Sequence, residues 1–325
     1  MNQNVTSKVY PWQQTMWETL TTRFPNIGHG LLFYGKQGCG KHAFAKHFLA
    51  WVLCLNKQPQ GACGECSSCQ WLKSDTHPNY VHITTDEENK KQNAKIKIEK
   101  IRDLLPFVQQ TGEGWRVVVI EPAEALNLAS SNALLKTLEE PGERVVLILL
   151  ADHYLKLPAT IRSRLQHFAL DRISYTEATS YLNEHLATVS VPPELLLGLS
   201  NDMPLQAVEI ATSDWFAKRQ SFLEDWTKVV NQKNMPLFYS AKWQKELNFS
   251  DFMMLLEYLL GDLICVKLNQ PQKNIDLQFD QLAQNYNLES LFSLYEELQQ
   301  SKRLVEQNVQ TQLIIDQLFI KLMNV

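Results

Sequence analysis

Gly35-Lys36-Gln37-Gly38-Cys39-Gly40-Lys41-His42 is the stretch on which the fold turns. It fits G-x-x-x-x-G-K-[ST] at every position but the last. Glycines let a backbone wrap an anion with its N–H groups pointing inward, and a helix opening at the loop's end adds its positive pole. Lys41 would then reach the β- and γ-phosphates of a nucleotide. The flanks agree with this reading. Gly30-Leu31-Leu32-Phe33-Tyr34 is a short apolar run, and Phe44, Phe48, Trp51, Val52 and Leu55 recur at helical spacing over His42 to Leu55. Strand, glycine loop and helix follow in the order a phosphate loop needs, so a mere glycine-rich turn is the weaker account. Gly35, Gly38, Gly40 and Lys41 are the candidate phosphate contacts, with their occupancy by ATP or ADP left open.

Further along, Val117-Val118-Val119-Ile120 and Val145-Val146-Leu147-Ile148-Leu149-Leu150 read as buried strands. Between them Leu126 to Glu140 reads as a Leu/Ala/Glu-rich helix stopped by Pro141-Gly142. Apolar strands alternating with helices indicate a parallel sheet covered on both faces. From about Ser174 strand-like runs vanish, and short helical segments are interrupted at Pro192-Pro193 and Pro204. Trp215 to Val325 carries longer amphipathic patterns, such as Phe252 to Leu268 and Asp276 to Lys302. The expected architecture is an α/β domain over 1–170, a small helical domain over 171–212 and an all-α bundle over 213–325.

Two positions needed for hydrolysis are altered. The Ser or Thr hydroxyl after the loop lysine normally holds Mg²⁺, and His42 stands there; imidazole suits a hard, oxygen-seeking ion badly. A hydrolytic strand would end in Asp-Glu, one acid for the metal and one to orient water. Here Val117-Ile120 runs into Glu121-Pro122-Ala123-Glu124. Glu121 could still reach a metal through water, but Pro122 can activate nothing.

The chain has 325 residues, 45% hydrophobic and 20% charged, an ordinary globular composition. Its net charge of −4 gives no basic footprint of the kind an autonomous nucleic-acid binder carries. Met1 to Tyr10 lacks the apolar core of a signal peptide, and no apolar run approaches the ~20 residues of a membrane span. A cytoplasmic protein with no membrane partner is expected, and disulfides are rare there. Four of the six cysteines have another explanation. Cys54, Cys63, Cys66 and Cys69 are spaced C-x8-C-x2-C-x2-C, with Gly61 and Gly64 supplying turns. Four thiolates complete a tetrahedral Zn²⁺ site with no position left for water, which makes the site structural. Cys39 and Cys265 read as packing residues.

Taken in order, the phosphate loop, the cysteine insertion, Thr76-His77-Pro78-Asn79, Asn132-Ala133-Leu134-Leu135-Lys136-Thr137-Leu138-Glu139-Glu140-Pro141 and Ile161-Arg162-Ser163-Arg164 resemble the bacterial clamp-loader ATPases of the AAA+ family. Tyr10-Pro11-Trp12 and Cys63-Gly64-Glu65-Cys66-Ser67-Ser68-Cys69-Gln70 look like the delta-prime branch of that family. The motif-bearing resemblance spans roughly Tyr10 to Arg172. It implies an AAA+ domain with a zinc knuckle, a helical lid and a helical collar. It implies a non-hydrolysing subunit of the DNA polymerase III clamp loader, in a hetero-pentamer with gamma/tau motor subunits and delta. That assembly acts on the sliding clamp and primed DNA. The resemblance also assigns Arg164 as an arginine finger, supplied in trans to a neighbouring ATPase site. Without the family, Arg164 reads as the partner of a nearby surface carboxylate. The family pattern is Ser-Arg-Cys, and Leu165 departs from it in packing without touching the charge. The motors' polar sensor position falls in Ala151-Asp152-His153, and their sensor arginine in Met203-Pro204-Leu205-Gln206-Ala207, where there is none. Two rival readings stand beside this one: a motor subunit using Lys41 with Glu121 or Glu124, and a zinc-stabilised DNA-binding module.

Other features take plainer readings. Lys90 to Lys100 is a positive run read as a loop entering a solvated helix. Trp215, Trp226 and Trp243 fall on helices and read as core, and His29 as a packing residue.

Overall fold

The apolar runs around the glycine loop form the centre of a five-stranded sheet in the computed structural model, ordered β2-β3-β4-β1-β5. Residues 9–85, 94–110, 112–186, 191–232, 235–305 and 309–323 are described. The strands are β1 (Gly30–Tyr34), β2 (Tyr80–Ile83), β3 (Arg116–Ile120), β4 (Val145–Ala151) and β5 (Gln166–Ala169), all paired in parallel. Leu32 lies opposite both Leu149 and His167, and Ile120 opposite Leu149. Every residue of β3 and β4 is buried, as parallel strands covered on both faces require. The two edge strands are only partly buried. That is why Tyr80–Ile83 and Gln166–Ala169 carry no continuous apolar run and were not legible as strands.

The chain packs as two units, Met1–Glu177 and Ala178–Val325. In the first, the helices are α1 (Gln14–Arg23), α2 (Lys41–Leu53), α3 (Ser67–Lys73), α4 (Ile98–Arg102), α5 (Leu104–Gln109), α6 (Leu128–Glu139) and α7 (Ala159–Arg162). One face of the sheet carries an aromatic cluster: Phe33 meets Phe44 at 5.4 Å and Phe48 at 6.0 Å between ring centroids, and Trp17 meets both. The other face packs Leu32, Val118, Leu147 and Leu149 with Ile101, Leu104, Leu134, Leu138 and Ile161. Truncating Phe33 to alanine in such a core costs about 3–5 kcal/mol.

α6 starts two residues later than its periodicity suggests. The Asn127 side chain accepts from the Ser130 N–H at 2.8 Å and so fixes the first turn at Leu128. The positive run lies partly outside the described residues, at Lys90 to Asn93. From Ala94 on, Ile96 is buried and the helix that follows buries Ile101, so this helix is not solvated on all sides.

α8 (Tyr175–His185) leads into the second unit, followed by α9 (Pro193–Ser200), α10 (Pro204–Ala211), α11 (Asp214–Ala217), α12 (Arg219–Gln232), α13 (Pro236–Glu246), α14 (Phe249–Lys267), α15 (Asp280–Ala283), α16 (Leu288–Val305) and α17 (Thr311–Met323). Pro193 and Pro204 each sit in the first turn of a helix, where no intrahelical N–H is missed. The single helix expected over Asp276 to Lys302 is instead α15 and α16. Asn287 interrupts it by accepting from the Ser290 N–H at 2.7 Å, a cap that begins a new helix.

Trp215, Trp226 and Trp243 are fully buried, as expected. Trp226 donates to the Tyr286 hydroxyl at 2.8 Å, and Trp243 to Asp225 at 3.2 Å. Asp262, itself buried, accepts from the Lys273 and Asn274 N–H groups and from the Asn274 amide at 2.6–2.8 Å. Arg219 donates to Asn274 and reaches Asp276 at 2.8 Å. Asp262 and Arg219 thus have the hydrogen-bonded partners that buried charges require.

Candidate functional site

The glycine loop leaves the carboxyl end of β1, the edge at which open parallel sheets present ligands. Gly35 N–H donates to Ala151 O at 3.2 Å, tying the loop to the end of β4, and Lys36 N–H donates to Asp171 at 3.3 Å. Gly38 and Gly40 adopt φ of +84° and +88°. A side chain at Gly40 would lie 2.7 Å from the Tyr10 ring, so this position needs glycine for both conformation and space. Tyr10 stacks on Trp12 at 4.9 Å, and the Trp12 indole and Gln13 amide both donate to Cys39 O, at 2.9 and 3.0 Å. Tyr10-Pro11-Trp12, singled out for family resemblance alone, and the neighbouring Gln13 therefore hold the loop from outside. Cys39 is fully buried, in keeping with a packing role.

Lys41 is 2% exposed and its ammonium is paired with the Asp152 carboxylate, just beyond β4. The carboxylate occupies the lysine in the way a phosphate otherwise would. At the next residue, His42 Nδ1 lies 2.6 Å from Glu121 Oε1, and His82 Nε2 lies 3.6 Å from Glu121 Oε2. Burial pushes the Glu121 carboxyl up, but the His42 hydrogen bond and the close approach of both imidazoles outweigh it and bring its pKa down to about 2. Glu124 is turned elsewhere and accepts from the His153 N–H at 2.5 Å. The Asp152 and His82 contacts were missed in the sequence because they come from the ends of separate strands.

The four cysteine sulfurs lie within 4.8 Å of one another. Neighbouring Sγ–Sγ distances are 3.5 Å for Cys54–Cys63 and Cys66–Cys69, and 3.9 Å for Cys54–Cys66 and Cys63–Cys69. A tetrahedral ion with Zn–S near 2.3 Å spaces its sulfurs about 3.8 Å apart, so the cage fits. The Glu65 and Cys66 N–H groups hold the Cys63 thiol below its usual range. Burial pushes Cys66 up, and the Cys69 and Leu55 N–H groups more than offset this, bringing it to about 6. These two thiols are thus poised as thiolates, whereas burial pushes Cys54 and Cys69 up, so an ion would have to displace their protons. Gly61 passes so close to His47 that a Cβ would sit 2.7 Å from its ring. Behind the cage, Asn79 N–H donates to His77 Nδ1 at 3.0 Å. His77 Nε2 therefore carries the proton and donates to Ser68 Oγ at 2.8 Å, and Ser68 donates to Leu53 O at 2.8 Å. The Thr76-His77-Pro78-Asn79 motif thus braces α3, the helix that carries Cys69.

Arg164 lies at the end of the short α7 turn with its side chain 36% exposed. Its Nε and second guanidinium nitrogen donate to Glu139 Oε1 at 2.8 and 2.6 Å, and its remaining nitrogen to Thr160 O at 2.9 Å. The surface ion pair expected without the family is present. Leu165, which departs from Ser-Arg-Cys, belongs to the same buried cluster as Leu138. His29 Nε2 is 2.6 Å from Leu138 O and serves packing, as expected.

This strand order, glycine loop and set of strand-end side chains define an α/β P-loop domain of the AAA+ class. The family model described as "DNA polymerase III, delta subunit" matches residues 12–174. DNA polymerase III subunit delta' of Pseudomonas aeruginosa is 37% identical over 69% of this chain and 68% of its own length. Its counterpart in Yersinia pestis is 27% identical over 84% of this chain and 81% of its own. DNA polymerase III subunit tau/gamma of Haemophilus influenzae is 32% identical over 52% of this chain and 24% of its own. The chain belongs to the DNA polymerase III delta-prime subunit family. Among the described residues no helix is long and apolar enough to cross a membrane.

Proposed function

We propose that this chain is the stator of a DNA polymerase III clamp loader: it hydrolyses no ATP itself and lends Arg164 in trans to a neighbouring motor subunit. The observation that carries the reading is the pairing of Lys41 with Asp152, which engages the nucleotide-binding lysine within the chain. His42 and Glu121 are likewise engaged with each other where a motor would hold Mg²⁺. Arg164 stands at the surface, held by the half-exposed Glu139, a pair worth no more than about 0–1 kcal/mol. Such a guanidinium can be handed to another anion at small cost. Placed against a transferring phosphoryl group, an arginine accelerates turnover by about 10³–10⁵ where it has been measured.

On this reading residues 171–212 form a lid and 213–325 a collar that joins motor subunits and delta in a hetero-pentamer. Leu237, Phe238, Phe292, Leu313 and Ile320, exposed on collar helices, offer apolar surface for that assembly. Clamp and primed DNA are met through the whole complex, in line with the chain's acidic balance. Zn²⁺ in the Cys54, Cys63, Cys66 and Cys69 cage serves structure alone.

The test is DNA- and clamp-stimulated ATP hydrolysis by a reconstituted loader, with assembly checked for each variant. Arg164→Ala should cut turnover about 10³-fold or more per affected site, and Lys41→Ala should leave it intact. The reverse pattern makes the chain a motor and defeats the proposal.

A further inference from the structure

The end of α6 and the turn after α7 meet in one ion pair at the surface. Glu139 is the last residue of α6 and belongs to the segment Asn132 to Pro141, in which Leu134 and Leu138 are buried in the core. Its carboxylate reaches the guanidinium of Arg164. We propose that Glu139 is a positioning residue for the arginine finger: it fixes the Arg164 guanidinium in place and leaves two N–H donors for the phosphoryl group of a neighbouring subunit. This role rests on the reading of Arg164 as a finger, and adds the group that aims it.

A guanidinium carries five N–H donors in a rigid planar fork. Three are engaged within the chain. Nε and one N–H of Nη2 both donate to Glu139 Oε1, at 2.8 and 2.6 Å, and one N–H of Nη1 donates to Thr160 O at 2.9 Å. Nη1 also meets Ser163 Oγ at 3.5 Å, too far for a firm hydrogen bond. One donor on each terminal nitrogen is thus left for an acceptor from outside. A donor from each of two nitrogens is what an arginine uses to hold a phosphate bidentately. Hand-over to a transferring phosphoryl group can use this pair while the edge facing Glu139 stays bound.

The anchors on both sides are firm. Glu139 follows Leu138 and Arg164 precedes Leu165, and both leucines are buried in the same core cluster. The backbones are thereby fixed, and the freedom that remains lies in the arginine's long, rotamer-rich side chain. An unheld finger would have to lose that freedom in the transition state, where a misplacement of ~1 Å costs as much as 10²-fold in rate. A surface pair of this kind adds little stability, so its effect falls on geometry. Both side chains reach the surface, which lets the nucleotide of another subunit approach the guanidinium.

The experiment uses the reconstituted loader with DNA and clamp, each variant checked for assembly, and reads kcat and KM for ATP at the affected site. Glu139→Ala should lower kcat at least about tenfold, within the ~10²-fold that misplacement can cost, and leave KM unchanged. Glu139→Gln keeps an oxygen acceptor for Nε and Nη2 and should restore most of the rate. On an Arg164→Ala background, Glu139→Ala should cost nothing further, because it acts through the arginine alone. A merely structural role would add its own loss there. Unchanged or faster turnover in Glu139→Ala, a loss carried by KM alone, no recovery in Glu139→Gln, or a further loss on the Arg164→Ala background would each overturn the proposal and leave the finger standing. Intact turnover in Arg164→Ala removes the finger itself, and with it anything for Glu139 to position.

Discussion

Asp152 is the residue that turns a nucleotide loop inward. Its carboxylate neutralises a buried ammonium that would otherwise require an outside anion. Asp152→Asn should therefore raise affinity for ADP or ATP about tenfold or more, a gain of ~1.4 kcal/mol, read by calorimetric titration. Unchanged affinity would mean that the Tyr10–Trp12 stack and its hold on Cys39, and not the ion pair, govern the loop. The loop's glycines and lysine were legible in the sequence, since each meets a stereochemical need at a set spacing. Asp152 could be placed as a sensor-position departure but not as the lysine's partner. Nothing in a linear sequence says which strand ends lie side by side until the order β3-β4-β1 is known.

At the scale of elements, α3 leans on the neutral side chain of His77. Burial holds His77 below its ordinary 6.5, and the Asn79 N–H aimed at Nδ1 leaves no room for a second proton. The folded value is depressed, so as pH falls through 6.5 the unfolded chain takes up its proton first. This contribution to stability is complete above 6.5 and is lost progressively in acid. His77→Ala should cost about 1–2 kcal/mol at pH 8, in line with two lost hydrogen bonds. It should also flatten the acid side of the stability profile, measured by urea melts between pH 8 and 5. An unaltered slope would place the acid sensitivity elsewhere. Element boundaries divided along physical lines. Core strands declared themselves through unbroken apolar runs, whereas the edge strands β2 and β5, half wet, did not. The α15–α16 break escaped notice because apolar periodicity runs on across Asn287 while the backbone does not.

For the whole molecule, the two packed units predict that disturbance of one stays local. Stripping metal from the cysteine cage with a strong chelator should speed hydrogen exchange over α2 and α3, read by mass spectrometry. Exchange over α14 in the second unit should not change. A loss of ~2 kcal/mol would lower the melting temperature of the first unit by roughly 4–8 °C. Equal deprotection of α14 would show that the cage sustains the entire chain. The helical character of the second half was readable from its periodicity. Its buried polar links, such as Asp262 to Asn274 and Trp226 to Tyr286, were not, because they join residues far apart in sequence.

The Lys41–Asp152 pair has one more consequence. A loop filled by a diffusing nucleotide reports the energy charge of its surroundings, opening and closing as ATP and ADP rise and fall. Here the counter-anion is part of the polypeptide, and its local concentration is set by the fold rather than by metabolism. On the stator reading proposed above, such a loop would be deaf to the cell's fuel supply, keeping the same form in starvation and in plenty.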